Sequence, residues 1–502
     1  MEQLEKDFLD YIKKMQAYEE AINVMYWDLR TGAPKKGIEQ RSEVIGMLST
    51  EAFQMLISDK MNEYLTTLSQ ADLFKSLQPH TQKAIELLKE EYNKKKVIPP
   101  KEYQEYVTLC SKAESVWEEA KEKDDFQKFA PYLQKLVDYN KKLISYWGYK
   151  GNKYNTLLNE YEPGMTVEEL DRVFAQVREK IVPLVKQISD ARHKPNTEFL
   201  SCFFPKEKQR KLSEYLLREI GYDFSAGRLD ETVHPFEITL NRGDVRVTTK
   251  YDENDFRTAI FGTIHECGHA IYEQNISKTL EGTFLCSGTS MGIHESQSLF
   301  YENFIGRNKG FWKRYFNTLK DFSIEQFNGV DLQEFYEAIN ESKPSLIRIE
   351  ADELTYPLHI MIRYEIEKAL FNDEISIEEL PEIWNEKYQE YLGITPPNNA
   401  QGVLQDVHWA GGSFGYFPSY ALGYMYAAQF KHAMERKYPD LDKRIEDGDF
   451  STIKEWLTNN IHQYGKTKMP LEIVKDVTGE GLNAQYLIDY LEEKYRTIYQ
   501  LL

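Results

Sequence analysis

The sequence predicts a mainly α-helical protein, a single large helical domain with a small antiparallel β element near its middle. Three observations underlie the helical class. Apolar residues recur at helical spacing through most of the chain, one stretch alternates as strands do, and no linker or repeat divides the chain. In residues 5–29 the stripe is Phe8, Tyr11, Ile12, Met15, Tyr18 and Ile22, stepping by one, three or four. Similar stripes run through 81–96, 101–123 and 129–149, and further helices are expected over 166–192 and 206–220. Residues 233–251 depart from this pattern. Alternating β-branched residues flank Asn241-Arg242-Gly243-Asp244, which predicts a β-hairpin. Helical spacing resumes over 254–274. Turns are marked by Gly32-Ala33-Pro34, Pro99-Pro100, Pro163-Gly164 and Pro396-Pro397.

Composition narrows the function classes. The chain has 502 residues, 62 basic and 81 acidic side chains, and a formal net charge of −19. That balance excludes an extended basic face for nucleic acid, though not a local basic pocket. Hydrophobic residues make up 41%, enough for a sizeable core. The four cysteines, Cys110, Cys202, Cys267 and Cys286, form no CxxC pair and no disulfide framework. The charged N-terminus lacks the apolar core of a signal peptide, and no run of 18 apolar residues occurs. A cytoplasmic protein without a membrane partner is expected.

The chemistry centres on His265-Glu266-Cys267-Gly268-His269, an HExxH sequence on a helical stripe formed by Ile260, Phe261, Ile264 and Ile271. Histidines at i and i+4 can reach one ion from the same helix face, and the glutamate beside the first can take a proton from an attacking water. A catalytic metal needs a third ligand. The downstream candidates are Glu281, His294, Glu295 and Glu302, and composition does not choose between His294 and Glu295. The expected metal is one divalent ion, zinc first, with cobalt or manganese compatible with a two-histidine, one-glutamate set. Cys267 occupies a free position of the motif and reads as a packed thiol.

Further motifs follow in order. HPF stands at His234-Pro235-Phe236, DxRxT at Asp244–Thr248, HESQ at His294-Glu295-Ser296-Gln297, IRxxAD at Ile347–Asp352 and GxxQDxHW at Gly402–Trp409, after an early Trp27-Asp28 and Pro34. Together with HExxH they resemble the carboxypeptidase Taq family of metallocarboxypeptidases. One departure is Leu299, where the resemblance leads one to expect a basic residue. The resemblance implies that His265, His269 and Glu295 are the metal ligands and Glu266 the general base. It also implies release of single residues from peptide C-termini, a homodimer, a deep central substrate groove with the small β element near the active site, and N-terminal helices (about 1–120 of a single 1–502 domain) covering that groove as a lid.

An enzyme acting at the C-terminus needs a cation for the free carboxylate. Arg348 and Arg246 are the candidates, because guanidinium pairs with carboxylate through two parallel hydrogen bonds. For Arg348 a structural ion pair with Glu350 or Asp352 is the competing reading. His408 can donate to the substrate carbonyl, Tyr420 or Tyr416 to the oxyanion with Tyr420 preferred, and His234 can touch the substrate backbone beside the hairpin. Asp352, Asp406 and Glu302 are available to orient the ligand imidazoles. Broad specificity is expected, with proline disfavoured because it stiffens the backbone and removes an N–H. The rivals are a helical oligoendopeptidase or dipeptidyl carboxypeptidase, and a non-catalytic peptide-binding protein.

Overall fold

A computed structural model describes residues 2–501 and is helical over most of that length. The expected helices form, with ends set by local chemistry. Asp125 caps Phe126–Trp147 by accepting from the Lys128 N–H, and Thr166 caps Val167–Ser189 by accepting from that of Glu169. Lys206–Ile220 ends at Gly221, whose φ of 101° is the left-handed conformation that glycine adopts without strain.

The hairpin forms as β2, Glu237–Asn241, and β3, Asp244–Thr249, paired antiparallel. Its two-residue turn is held by the Asn241 side chain, which accepts from the Gly243 N–H at 2.9 Å. A third strand, β1 (Leu229–Glu231), pairs in parallel with β3, so the sheet order is β1-β3-β2. The Leu-Asp-Glu sequence of β1 has no alternation to announce it. Val245 and Val247 of β3 are fully buried, and the Thr263 hydroxyl of the HExxH helix, Phe256–Gln274, donates to that of Thr249 at 2.9 Å. The sheet is thereby fixed against the HExxH helix.

Buried side chains form two hydrophobic clusters. The larger runs through the body of the protein; the smaller unites Phe8, Ile12 and Met15 with Met61, Leu65, Leu68, Ile85 and Leu88. Helix Pro100–Glu122 belongs to the body, burying Ala113 and Ala120 in the larger cluster. The first helix, Glu2–Thr31, has its buried residues only in its first half. Its second half meets the sheet through polar and aromatic contacts. The Asn23 amide donates to the Thr239 carbonyl, Tyr26 meets Phe236 edge-on at 6.3 Å, and Trp27 stacks with both Arg228 and Arg246. Asn23 therefore occupies part of the outer edge of β2.

Glycines decide how closely the catalytic helices approach. A Cβ at Gly268, inside HExxH, would lie 2.5 Å from the Gln297 carbonyl oxygen of helix Met291–Leu299. On helix Pro418–Lys437, a Cβ at Gly423 would lie 2.6 Å from Cβ of Glu295. The helix that carries Glu295 is thus held between two glycine surfaces. Gly423→Ala is expected to cost about 1–3 kcal/mol by overpacking and to displace Glu295. Urea unfolding and metal content after dialysis check this; parental values in both would contradict it.

Candidate metal centre

His265 and His269 lie on one face of the helix Phe256–Gln274, which Asp255 caps by accepting from the Arg257 N–H. Their ring centroids are 5.1 Å apart. Helix Met291–Leu299, capped by Ser290, brings Glu295 opposite them. Its carboxylate oxygens lie 3.9 Å from His265 Nε2 and 3.5 Å from His269 Nε2, and one ligand atom from each of the three residues lies within 4.8 Å of the others. Glu295, not His294, therefore completes the cluster. Glu281 is remote in role, paired at the surface with Arg242.

The outer nitrogens of both histidines are occupied. His265 Nδ1 is 2.9 Å from Oε2 of Glu302, whose other oxygen accepts from Arg307 at 3.0 Å. Glu302 sits on a π-helical continuation, Phe300–Gly306, which turns it back toward His265. His269 Nδ1 is 2.6 Å from His294 Nδ1, and His294 Nε2 is 3.0 Å from Glu273. With His269 presenting Nε2 as a ligand, its Nδ1–H donates to His294, and the Nε2–H of His294 donates to Glu273. Engaged outer nitrogens leave both Nε2 lone pairs for an ion, so this donor set fits a divalent metal. Of the residues expected to orient the ligands, Glu302 does so, whereas Asp352 and Asp406 make other contacts. The relay through His294 and Glu273 was not anticipated, although Glu273 lies four residues after His269 on the same helix face.

Burial and mutual proximity set the charges. Burial alone would depress His265, but Glu295, Glu302 and Glu266 outweigh it and push the imidazole up to about 10. Burial dominates at His269 and lowers it to about 4. Burial, joined by Glu295, raises Glu266 to about 7 despite His265. Glu302 is held near 2, because His265 and Arg307 overcome its own burial. From β2, Glu237 points into the same region, 4.0 Å from His294 Nε2, and burial raises it to about 7. The Cys267 thiol is wholly buried, and burial pushes its pKa up, as a packed, unreactive thiol requires. Leu299 is also buried in the larger cluster, so the site of the expected basic residue is filled by core packing.

A second cluster surrounds Arg348. Its ion partner is Asp406, at 2.8 Å, in place of the Glu350 or Asp352 considered from sequence. Asp352 instead caps its own turn through Leu354, Thr355 and Lys343. The Arg348 guanidinium lies 5.0 Å from the Tyr420 ring centre, and the Tyr420 hydroxyl is 3.3 Å from His408 Nε2. Tyr416 stacks edge-on with Tyr420 at 5.2 Å, and Tyr420 lies three residues before Gly423, whose backbone packs on Glu295, which ties this cluster to the metal triad. Glu367 anchors the loop between them by accepting from Trp409 Nε1 and the Gly415 N–H. Arg246 lies apart, bidentate to Asp244 and stacked on Trp27. His234 is exposed on a bend before β2.

Two histidines and a glutamate poised for one ion, with a half-buried glutamate beside the first histidine in a helical chain, define a helical metallopeptidase of HExxH type. The chain belongs to the carboxypeptidase Taq (M32) metallopeptidase family, whose sequence model matches residues 7–495. It is 61% identical over 497 residues to carboxypeptidase 1 of Bacillus subtilis, covering 99% of each chain. It is 41% identical over 482 residues to thermostable carboxypeptidase 1 of Thermus thermophilus, covering 94% of each. Its fold is similar to that of the M32 carboxypeptidase of Deinococcus radiodurans, with a TM-score of 0.96 at 33% identity, covering 99% of this chain and 100% of the other. The protein is a metallocarboxypeptidase, a peptide hydrolase whose family uses a divalent metal. No helix among the described residues is long and apolar enough to cross a membrane.

The contrast between the two ligand histidines has a measurable consequence. At pH 7 the metal-free chain holds a proton on His265, pushed up to about 10, and none on His269, lowered to about 4. Ion binding needs both imidazoles neutral at Nε2, so it should release about one proton per site from His265, with a further fraction from Glu266, and weaken as pH falls. Calorimetry in buffers of different ionisation enthalpy reads that number. Release of no proton would show that His265 is already neutral.

Proposed function

We propose that the protein removes single amino acids from peptide C-termini, with broad specificity and proline disfavoured. The observation that supports this best is the Arg348 guanidinium beside His408 and Tyr420, the latter on the helix whose Gly423 packs against Glu295. A buried cation at that position suits a terminal carboxylate.

His265, His269 and Glu295 would hold the ion, zinc in first place. When bound, it supplies Lewis-acid polarisation of the scissile carbonyl and of the attacking water. Glu266, raised to about 7 by burial, takes the proton from that water and passes it to the leaving amine. Tyr420, whose hydroxyl burial keeps protonated, donates to the developing oxyanion, with Tyr416 behind it. His408, neutral because burial and Arg348 lower it to about 4, donates to the substrate carbonyl. Arg348 receives the terminal carboxylate, while Arg246 and His234 line the approach along the hairpin. The polar docking of the first helix on the sheet supports a lid formed by the small N-terminal cluster, which helix Pro100–Glu122 does not join. A homodimer in the cytoplasm completes the proposal, on family resemblance and sparse cysteine usage.

Mass spectrometry of a digested peptide tests it. A one-residue C-terminal ladder is expected, and C-terminal amidation should abolish it. Internal cuts or dipeptide release would instead identify an endopeptidase or dipeptidyl carboxypeptidase. Glu266→Gln should lower kcat by about 10²–10⁴-fold while metal content stays parental. An undiminished kcat would remove Glu266 from the chemistry.

A further inference from the structure

The Arg348 cluster contains a second arginine that cannot touch substrate. Arg363 is 0% exposed, and all three of its guanidinium nitrogens are committed. Nε donates to Asp406 Oδ2 at 2.7 Å, Nη2 to the Gln405 side-chain oxygen at 2.7 Å, and Nη1 to the His359 carbonyl at 2.8 Å and the Tyr388 hydroxyl at 3.3 Å. Its plane lies 4.6 Å from the Trp384 ring centre. Asp406 is therefore shared, Oδ2 with Arg363 and Oδ1 with Arg348, whose Nε and Nη2 lie 2.9 and 2.8 Å away.

The charge count of this island is unusual. A lone Arg348–Asp406 pair would be neutral and would attract a carboxylate weakly, because its charges are already matched. Arg363 adds one positive charge beyond that pair. Among the buried acids Glu367 feels Arg363, but burial raises it to about 7 and its oxygens already accept from Tyr154, Trp409 and Gly415. Burial and the two arginines hold both nearby imidazoles neutral, His408 at about 4 and His359 well below its ordinary value. Tyr356, Tyr388 and Tyr420 are all pushed upward by burial and stay uncharged. Lys121, half-exposed and donating to the Gln405 carbonyl at 2.8 Å, adds a further cation at the solvent edge, where water and salt screen it.

We infer that Arg363 is a positioning residue for substrate affinity: it neutralises Asp406 from behind, so that Arg348 keeps a full positive charge for the carboxylate of the terminal residue. The substrate then completes a balanced set of two guanidinium and two carboxylate groups. This rests on Arg348 as the carboxylate receptor, and the test separates the two.

Kinetics of the holoenzyme on an N-blocked dipeptide with a free C-terminus decide it, using Arg363→Gln, Arg363→Lys, Asp406→Asn, the Arg363→Gln/Asp406→Asn double variant and Arg348→Met. Loss of a charge-assisted contact predicts that Arg363→Gln raises KM about tenfold or more, with kcat changed by less than about threefold. Arg363→Lys, which keeps the charge, should stay near the parent. The double variant removes one charge of each sign, so it should recover most of the parental KM although it has lost the hydrogen bonds. A scaffold role predicts the reverse, a double variant at least as impaired as Arg363→Gln, and that result overturns the inference. A folded Arg363→Gln enzyme with parental KM also overturns it, while a raised KM in Arg348→Met leaves the receptor standing. An unchanged KM in Arg348→Met overturns both. Should Arg363→Gln not fold, the double variant decides alone: recovered KM supports the inference, and raised KM refutes it.

Discussion

Three helices must meet almost backbone to backbone before His265, His269 and Glu295 can serve one ion. Helix Met291–Leu299 lies between Gly268 of the HExxH helix and Gly423 of Pro418–Lys437, and neither surface has room for a Cβ. The same helix is held at its start. Ser290 accepts from the Ile293 N–H, and the buried Glu162 carboxylate accepts from that of Gly292 at 2.9 Å, where a Cβ would again collide. An acid at a helix N-terminus is favourably placed against the helix dipole. Burial nevertheless raises Glu162 to about 7, so the contact trades desolvation for position. The rest of the site's geometry depends on this clamp, because Glu295 is the member of the candidate triad that comes from a separate segment.

Electrostatics divides the site into two islands of opposite character. Around the metal triad, Glu237, Glu266, Glu273 and Glu302 converge on three histidines, an excess of acidic groups that a divalent cation would offset. Across Tyr420 and His408, two arginines share one aspartate. A peptide end carries an electron-rich carbonyl next to a negative terminus, and the proposed binding mode sets those two features against the two islands in that order. The overall charge of −19 gives no hint of this, because it averages a small buried cationic island with a large acidic surface.

Behind both islands, buried polar groups do the work of alignment. Glu353 accepts from Tyr424, Tyr490, Tyr495 and Lys494, joining the C-terminal helix Gln485–Ile498 to the helix of Gly423. Glu367 accepts from Tyr154, Trp409 and Gly415, fixing the loop that carries His408 and Tyr416. Such satisfied networks specify one arrangement of side chains, and removing one partner leaves a buried charge at a cost of about 3–5 kcal/mol.

By itself the sequence determined the helical class, the hairpin about Arg242-Gly243, and the grouping of His265, Glu266 and His269, because each rests on periodicity or spacing within one segment. Ordered motifs carried the family and the choice of Glu295, which local spacing left open against His294. Tertiary structure decided which groups stand behind the ligands and which partner Arg348 takes. Glu302, His294 and Glu273 on one side, and Asp406 and Arg363 on the other, come from segments whose approach is set by helix packing and glycine clearances. Strand β1 has the same origin, since three residues without alternation become a strand only when β3 is already beside them. Burial and neighbouring carboxylates set the charges, and both are properties of the packed whole: the proton affinities of the two histidines of one motif, four residues apart, are pushed in opposite directions by what surrounds them.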